Sequence, residues 1–208
     1  KTGNICVKIC VAFILDIYCG RKIIMGKYFG TDGFRGEANV TLTANHAFQV
    51  GRFLGWYYGK DKEERCKIVI GKDTRRSSGK NRAQMVIVTK CPDDIKPIGA
   101  DAYILHVTTT PSVAYVTRTE DFDCGIMISA SHNPFYDNGI KLINSRGEKM
   151  DEETILKIED YIDGKIGELP DAHRENIGCT VDYAVGRNRY IGYLISLATR
   201  SYQGIKVG

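Results

Sequence analysis

The run from Gly125 to Pro134, Gly-Ile-Met-Ile-Ser-Ala-Ser-His-Asn-Pro, constrains the fold of this 208-residue chain more than any other stretch. Its apolar part is too short for a helix, and apolar runs bounded by glycine and proline read as buried strands. Asn133 precedes a proline and is pushed towards extended backbone, so the chain cannot continue there as a regular helix. Two serines and a histidine are thus delivered to a strand end. In an open α/β sheet the ligand crevice lies at the carboxyl ends of the strands. A hydroxyl held at that place is positioned as a nucleophile; the plainer reading is a strand followed by a polar turn.

The residues that follow extend the pattern. Asp137-Asn138-Gly139 is a turn signal, and Ile140-Lys141-Leu142-Ile143 alternates apolar with polar residues. Together they predict a hairpin-like return that brings Lys141 beside the Ser131 loop. Serine, histidine and lysine in one pocket are what nucleophilic or phosphoryl-transfer chemistry needs.

Strands and helices alternate along the chain, which predicts an α/β layered fold. Ala47, Val50, Leu54 and Tyr57 share one helical face, with Thr43 as N-cap. Ile68-Val69-Ile70 reads as a buried strand leading into a Gly71–Gly79 loop, and Ala102 to Val107 as a second strand. Thr110 as cap and Pro111 at the first helical position start a short helix. Cys124 to Ser129 forms the strand described above. Asp151 caps a helix carrying Ile155, Ile158 and Ile162. Arg187 to Arg200 reads as a further helix with Ile191, Leu194, Ile195 and Leu197, and Ile205-Lys206-Val207-Gly208 as the start of a strand.

Composition excludes several function classes. Hydrophobic residues are 43% and charged residues 26%, enough for a core and too mixed for disorder. The net charge of +4, from 29 basic and 25 acidic residues, suits a small anionic substrate. No basic stripe interleaved with aromatics is present, which argues against nucleic acid. The 7 cysteines form no C-x-x-C pair, so reduced thiols in a cytoplasm are expected, with cysteine-bound metal a remote second reading. Ile5 to Cys19 is mostly apolar, but Lys8 and Asp16 interrupt it and it is too short to span a bilayer. It ends in Arg21-Lys22-Ile23-Ile24 rather than in the small residues of a cleavage site. The stretch is read as translated upstream sequence ahead of a start at Met25, with a genuine membrane anchor as the second reading; no membrane partner is expected.

Residues 129–141, Ser-Ala-Ser-His-Asn-Pro-Phe-Tyr-Asp-Asn-Gly-Ile-Lys, resemble the phosphoserine loop of the α-D-phosphohexomutases. Their form, S-A-S-H-N-P-x-x-D-N-G-I-K, is that of the branch acting on glucosamine phosphates; the mannose- and glucose-phosphate branches more often carry T-A-S-H-N-P. Phe29-Gly30-Thr31-Asp32-Gly33-Phe34-Arg35-Gly36 resembles the family's opening loop, and Gly71-Lys72-Asp73-Thr74-Arg75 its second loop. Thr109-Thr110-Pro111-Ser112 agrees as well. The stretch between Ser78 and Gly99 departs from the pattern: where the family has an apolar-faced helix, residues 79–94 have a poor helical stripe and a Pro-Asp-Asp break, more like a local frame error than a functional insertion.

The resemblance implies a three-layer α/β/α domain with a mixed sheet, the first of four family domains. It divides the chain into a non-family extension (1–24), the phosphoserine domain (25–180), and a linker helix with the start of a second domain (181–208). The implied reaction interconverts glucosamine 6-phosphate and glucosamine 1-phosphate through a phosphoserine at Ser131. Lys141 is then a general base or a cation on the transferring phosphate, His132 a proton carrier and Arg35 a phosphate contact. On the residues alone, Lys141 reads as a solvated strand lysine and His132 as a turn histidine. Ser129 is structural, and Asp73 and Arg75 brace the loops through a local ion pair. Mg²⁺ takes one ligand from phosphorylated Ser131; the family's D-G-D-x-D-R metal loop is not in this sequence. The implied partners are a phosphosugar and family domains II–IV, with self-association through the exposed interdomain face. The chain alone is expected to be an inactive fragment. Two other readings stand beside this one: a mutase of mannose or glucose phosphates, and a non-catalytic α/β module binding a phosphosugar or a protein partner.

Overall fold

The computed structural model describes residues 26–62, 64–78, 100–170 and 177–206. The expectations for 1–24 and 79–98 lie outside those residues, as do Val207 and Gly208. Among the described residues the strands are β1 (Phe29–Gly30), β2 (Gly33–Glu37), β3 (Cys66–Lys72), β4 (Ala100–Val107), β5 (Cys124–Ile128), β6 (Asp137–Asn144) and β7 (Thr180–Asp182). They form one sheet in the order β1-β2-β6-β5-β3-β4-β7. β3 runs parallel to β4 and β5, and β7 parallel to β4, while β6 is antiparallel to β5 and β2. The mixed sheet expected from the sequence is therefore present. The helices are α1 (Ala44–Gly59), α2 (Thr110–Thr119), α3 (Glu152–Ile162) and α4 (Ala184–Ser196).

Period-2 alternation along the strands separates two cores. Ile68, Ile70, Ile126, Ile128, Ile140 and Leu142 point to one face and pack with Phe53 and Leu54 of α1 and Ile155 and Ile158 of α3. Val69, Leu105, Met127 and Ile143 point to the other and pack with Val113 and Val116 of α2. Strands apolar on both faces must be covered on both, which makes three layers rather than two. Truncating a fully buried member such as Ile126 or Leu54 to alanine removes about 2–5 kcal/mol by this geometry.

The helix starts follow capping chemistry. Thr43 caps α1: its side chain accepts the His46 N–H, and His46 Nδ1 accepts the Thr43 N–H at 3.2 Å, a capping box built with histidine. Asp151 caps α3 as expected, accepting from Thr154 N–H. At α2 the cap is Thr109 and not Thr110, and Pro111 falls at the second helical position. The Thr108 N–H is still bonded to the Lys72 carbonyl (2.9 Å), so Thr109 alone separates sheet from helix and the helix starts one residue earlier than the sequence implies. α4 begins at Ala184 rather than Arg187, because Asp182 accepts the Ala184 N–H directly after β7. No strand forms at Ile205 and Lys206; the Ile205 N–H instead closes a turn on the Tyr202 carbonyl.

One buried carboxylate anchors the start of the described chain. Glu159 of α3 accepts the N–H groups of Lys27, Tyr28 and Phe29 at 2.8, 2.8 and 2.7 Å. Side-chain bulk at Gly26 would fall 2.3 Å from Glu159 Oε1, so only glycine lets the backbone close over it. This holds β1 and the loop after it over the sheet edge.

Burial pushes the His46 imidazole below its usual 6.5, partly opposed by its bond to the Thr41 backbone. The unfolded chain therefore takes up the proton first. Stability is complete above pH 6.5 and falls as the pH drops below it. Urea midpoints measured across that range should show this loss in the wild type. It should be absent in His46→Gln, whose side chain keeps the capping box without titrating.

Candidate active site

β3 and β5 are parallel neighbours, so their carboxyl ends open on the same side of the sheet, as expected for a ligand crevice. The loops leaving them meet there: the Asp73 N–H donates to the Ile128 carbonyl at 3.0 Å. An open cleft of about 770 Å³ lies between the two loops, lined by Asp73, Arg75, Arg76, Ser129, Ser131 and Tyr136 among others. Ser131 is exposed in this cleft and has φ 56°, the left-handed region that costs a non-glycine residue about 1–3 kcal/mol.

That conformation is held from both sides. The Ser131 N–H donates to Ser129 Oγ at 3.0 Å, and the Ser131 carbonyl accepts from Arg75 Nη2 at 2.9 Å. The same guanidinium donates to the carbonyls of Asn133 (2.8 Å), Asp137 (3.2 Å) and Pro134. Its Nε donates to Asp73 Oδ2 at 3.0 Å, giving the local ion pair expected from the sequence. Burial pushes the Asp73 carboxyl up, but hydrogen bonds from Ser78, the Arg75 N–H, Ser129 and the Arg75 guanidinium outweigh it and hold it below the usual 3.8. Asp73 is thus a fixed anion in the pH range of interest.

The remaining candidates are placed as follows. Arg35 reaches the Ser131 loop, donating to Asn133 Oδ1 at 3.0 Å and to Asp32 Oδ2 at 2.9 Å, with its Nε buried and without a partner among the described residues. His132 is exposed beside Ser131, and its imidazole has no hydrogen bond among the described residues. Lys141 sits opposite Met127 in the β5–β6 ladder and lines a separate cavity of about 250 Å³ with Thr31, Asp32 and Thr110. Arg35 stands between the two spaces, bonded to Asp32 of one and Asn133 of the other. No hydrogen bond joins Lys141 to Ser131 among the described residues.

The Asp-Asn-Gly segment is not the turn that its sequence advertises. The reversal occurs over residues 131–136, and Asp137 already begins β6. Asn138 is fully buried, donating to Ser77 Oγ (2.8 Å) and Ser78 Oγ (3.2 Å). Gly139 is needed for close approach and not for turning: a Cβ there would lie 2.6 Å from the Ser129 carbonyl oxygen and 3.3 Å from Arg35 Cγ. The sequence reading missed the reach of Arg75, the buried Asn138–Ser78 link, and the aromatic pair Phe135–Tyr136 at the loop tip, where Phe135 is 84% exposed. An Asp-x-Arg placed just after a strand end was the signal for the first; the other two carried none.

Among the described residues no three His, Cys, Asp or Glu side chains converge as a metal site. Ser131 alone does not fit Mg²⁺, and Asp73 is already engaged.

Residues 26–166 match the model of phosphoglucomutase/phosphomannomutase alpha/beta/alpha domain I. The chain therefore belongs to the phosphoglucomutase/phosphomannomutase family and contains its first domain. It is 70% identical over 185 residues to a phosphoglucosamine mutase of Lachnospira eligens, covering 88% of this chain and 40% of that protein. It is 66% identical over 184 residues to a phosphoglucosamine mutase of Lachnoclostridium phytofermentans, covering 88% and 39%. The chain thus spans about 40% of the length of these curated relatives. A crystal structure of a phosphoglucomutase/phosphomannomutase family protein from Burkholderia thailandensis superposes with a TM-score of 0.61 over 83% of this chain and 36% of that one. At 19% identity that likeness carries the fold alone.

Gly139→Ala is expected to destabilise the chain by about 1–3 kcal/mol by forcing apart the Ser129 carbonyl and the Arg35 stem. Denaturant midpoints of the two proteins check this.

Proposed function

We propose that this chain is the phosphoserine-bearing domain of a phosphoglucosamine mutase. The observation that carries the reading is Ser131: an exposed hydroxyl in a left-handed backbone conformation, at the carboxyl end of a buried strand, in a cleft with a basic wall. A seryl phosphate at that position breaks its Oγ–P bond as the phosphorus joins the 1-hydroxyl of glucosamine 6-phosphate, and the hydroxyl proton passes to a base. The resulting bisphosphate reorients and returns its 6-phosphoryl group to Ser131, leaving glucosamine 1-phosphate.

Phosphoryl transfer asks the protein chiefly for positioning and for charge on the equatorial oxygens. Arg35, on the nucleophile loop through Asn133, supplies a cation in this reading. Lys141 supplies a second from the neighbouring cavity or acts as the base. His132, exposed and unpaired, is the other candidate proton carrier. Mg²⁺ would neutralise phosphate charge; among the described residues phosphorylated Ser131 is its one candidate ligand, too few to hold the ion. Residues 25–180 form the first domain in this reading and 181–208 lead towards a second.

The cytoplasmic location belongs to the same proposal; among the described residues no helix is long and apolar enough to cross a membrane. α4 supports the expectation of partner domains or self-association. Its Ile191, Leu194 and Ile195, and Leu197 just past its end, are all exposed, although Tyr193 stacks on Tyr115 and Arg189 pairs with Glu120. Light scattering on the purified chain should therefore show a mass that grows with concentration, and Ile195→Glu should reduce it.

Incubation with glucose 1,6-bisphosphate and Mg²⁺ should add one phosphoryl group to the wild-type chain, mapped to Ser131 by mass spectrometry, and none to Ser131→Ala. The chain alone should not convert glucosamine 6-phosphate. Positioning supplied by the remainder of its relatives' length contributes many powers of ten in effective molarity.

A further inference from the structure

We propose that Arg75 is the positioning residue of the nucleophile loop, fixing the backbone at Ser131 and taking no part in gripping phosphate. The inference rests on the reading of Ser131 as phosphoryl carrier. A guanidinium has five N–H donors in a planar fork. In Arg75 all are used: Nε on Asp73, two on the carbonyls of Ser131 and Asn133, and two on those of Pro134 and Asp137. Its side chain is only 11% exposed although it lines the cleft. A phosphate could be bound only by releasing one of these bonds.

What the clamp fixes is specific. Ser129 Oγ holds the peptide plane before Ser131 through its N–H, and Arg75 holds the plane after it through its carbonyl. With both planes tied, φ and ψ of Ser131 are set, and with them the direction in which Oγ leaves the backbone. The loop's other bonds leave Ser131 itself untouched: the Asn133 N–H donates to the Ala130 carbonyl, the Asp137 N–H to Pro134 and the Ala38 N–H to Tyr136, while the Asn133 side chain accepts from Arg35 and donates to Asp137. Lysine, with three donors on a tetrahedral head, cannot span four carbonyls and a carboxylate. Arg76 offers the contrast. It lines the same cleft, is exposed, and has no hydrogen bond or ion pair among the described residues, so its donors remain for an anion.

The experiment compares wild type, Arg75→Lys, Arg75→Ala and Arg76→Ala by the rate of Ser131 phosphorylation against glucose 1,6-bisphosphate concentration. Arg75→Lys and Arg75→Ala are expected to lower the limiting rate by about 10²-fold, the cost of a misplaced reacting atom, with little change in half-saturating concentration. Arg76→Ala should do the reverse. Free guanidinium chloride at millimolar concentration should recover part of the Arg75→Ala rate. A raised half-saturating concentration with an unchanged limiting rate in the Arg75 variants would overturn the proposal.

Amide hydrogen exchange of residues 131–137 provides a readout independent of the chemistry. Faster exchange confined to that loop in Arg75→Lys supports the clamp; unchanged protection overturns it. Should the wild type take up no phosphate, the functional reading fails while exchange still decides the role of Arg75. If the Arg75 variants do not fold, Asp73→Asn, which keeps the guanidinium but removes its counter-charge, is expected to give the same loop-confined loss. Its absence would also overturn the proposal.

Discussion

A nearly enclosed guanidinium with a half-buried counter-charge organises the cleft end of this molecule. Arg75 is nearly enclosed, and a charge taken out of water must be paired and hydrogen-bonded or it destabilises the fold. Asp73 provides the pairing, and is itself kept ionised by the hydroxyl and N–H groups aimed at it. The remaining donors find carbonyls in the loop between β5 and β6. The strain at Ser131 is therefore supported by electrostatics from a different loop, and the geometry at Ser131 depends on two strand ends being neighbours. That adjacency follows from the parallel pairing of β3 and β5.

The rest of the fold serves this junction. The antiparallel return of β6 puts Ile140 opposite Ile128 and Gly139 opposite Arg35, so the opening loop and the Ser131 loop meet over one position that has no side chain. Glu159 ties the chain before β1 to α3 and so fixes the other end of the opening loop. Helices on both faces bury the alternating strand residues, leaving the strand ends as the accessible polar edge. Away from this edge, α4 presents an apolar face, a surface with the character of an interior rather than of an exterior.

Much of this was legible in the amino-acid pattern because it is local. The caps at Thr43 and Asp151 rest on contacts within three residues, and the buried strand Ile68–Ile70 and the apolar face of α3 are written as patterns along the chain. The candidate site was legible in part: Ser131 and Arg35 were found through short motifs, and the structure joins Arg35 to the Ser131 loop through Asn133. The relation of Lys141 to Ser131 was not legible. A hairpin was expected to bring them together, yet the loop occupies residues 131–136 and the ladder places Lys141 across from Met127. Asp-Asn-Gly misled for the same reason: asparagine and glycine favour turns in isolation, but here a buried amide network and a close backbone approach use them inside a strand.

The sequence by itself determined the central buried strands, the caps at Thr43 and Asp151 and the identity of the nucleophile candidate, since periodicity, capping and short motifs act along the chain. Only the tertiary structure decided which groups share the cleft, that Arg75 has no donor left to give, and that Lys141 faces a separate cavity. Those outcomes depend on the order and register of the strands, which are set by packing between residues far apart in the chain and leave no local signature.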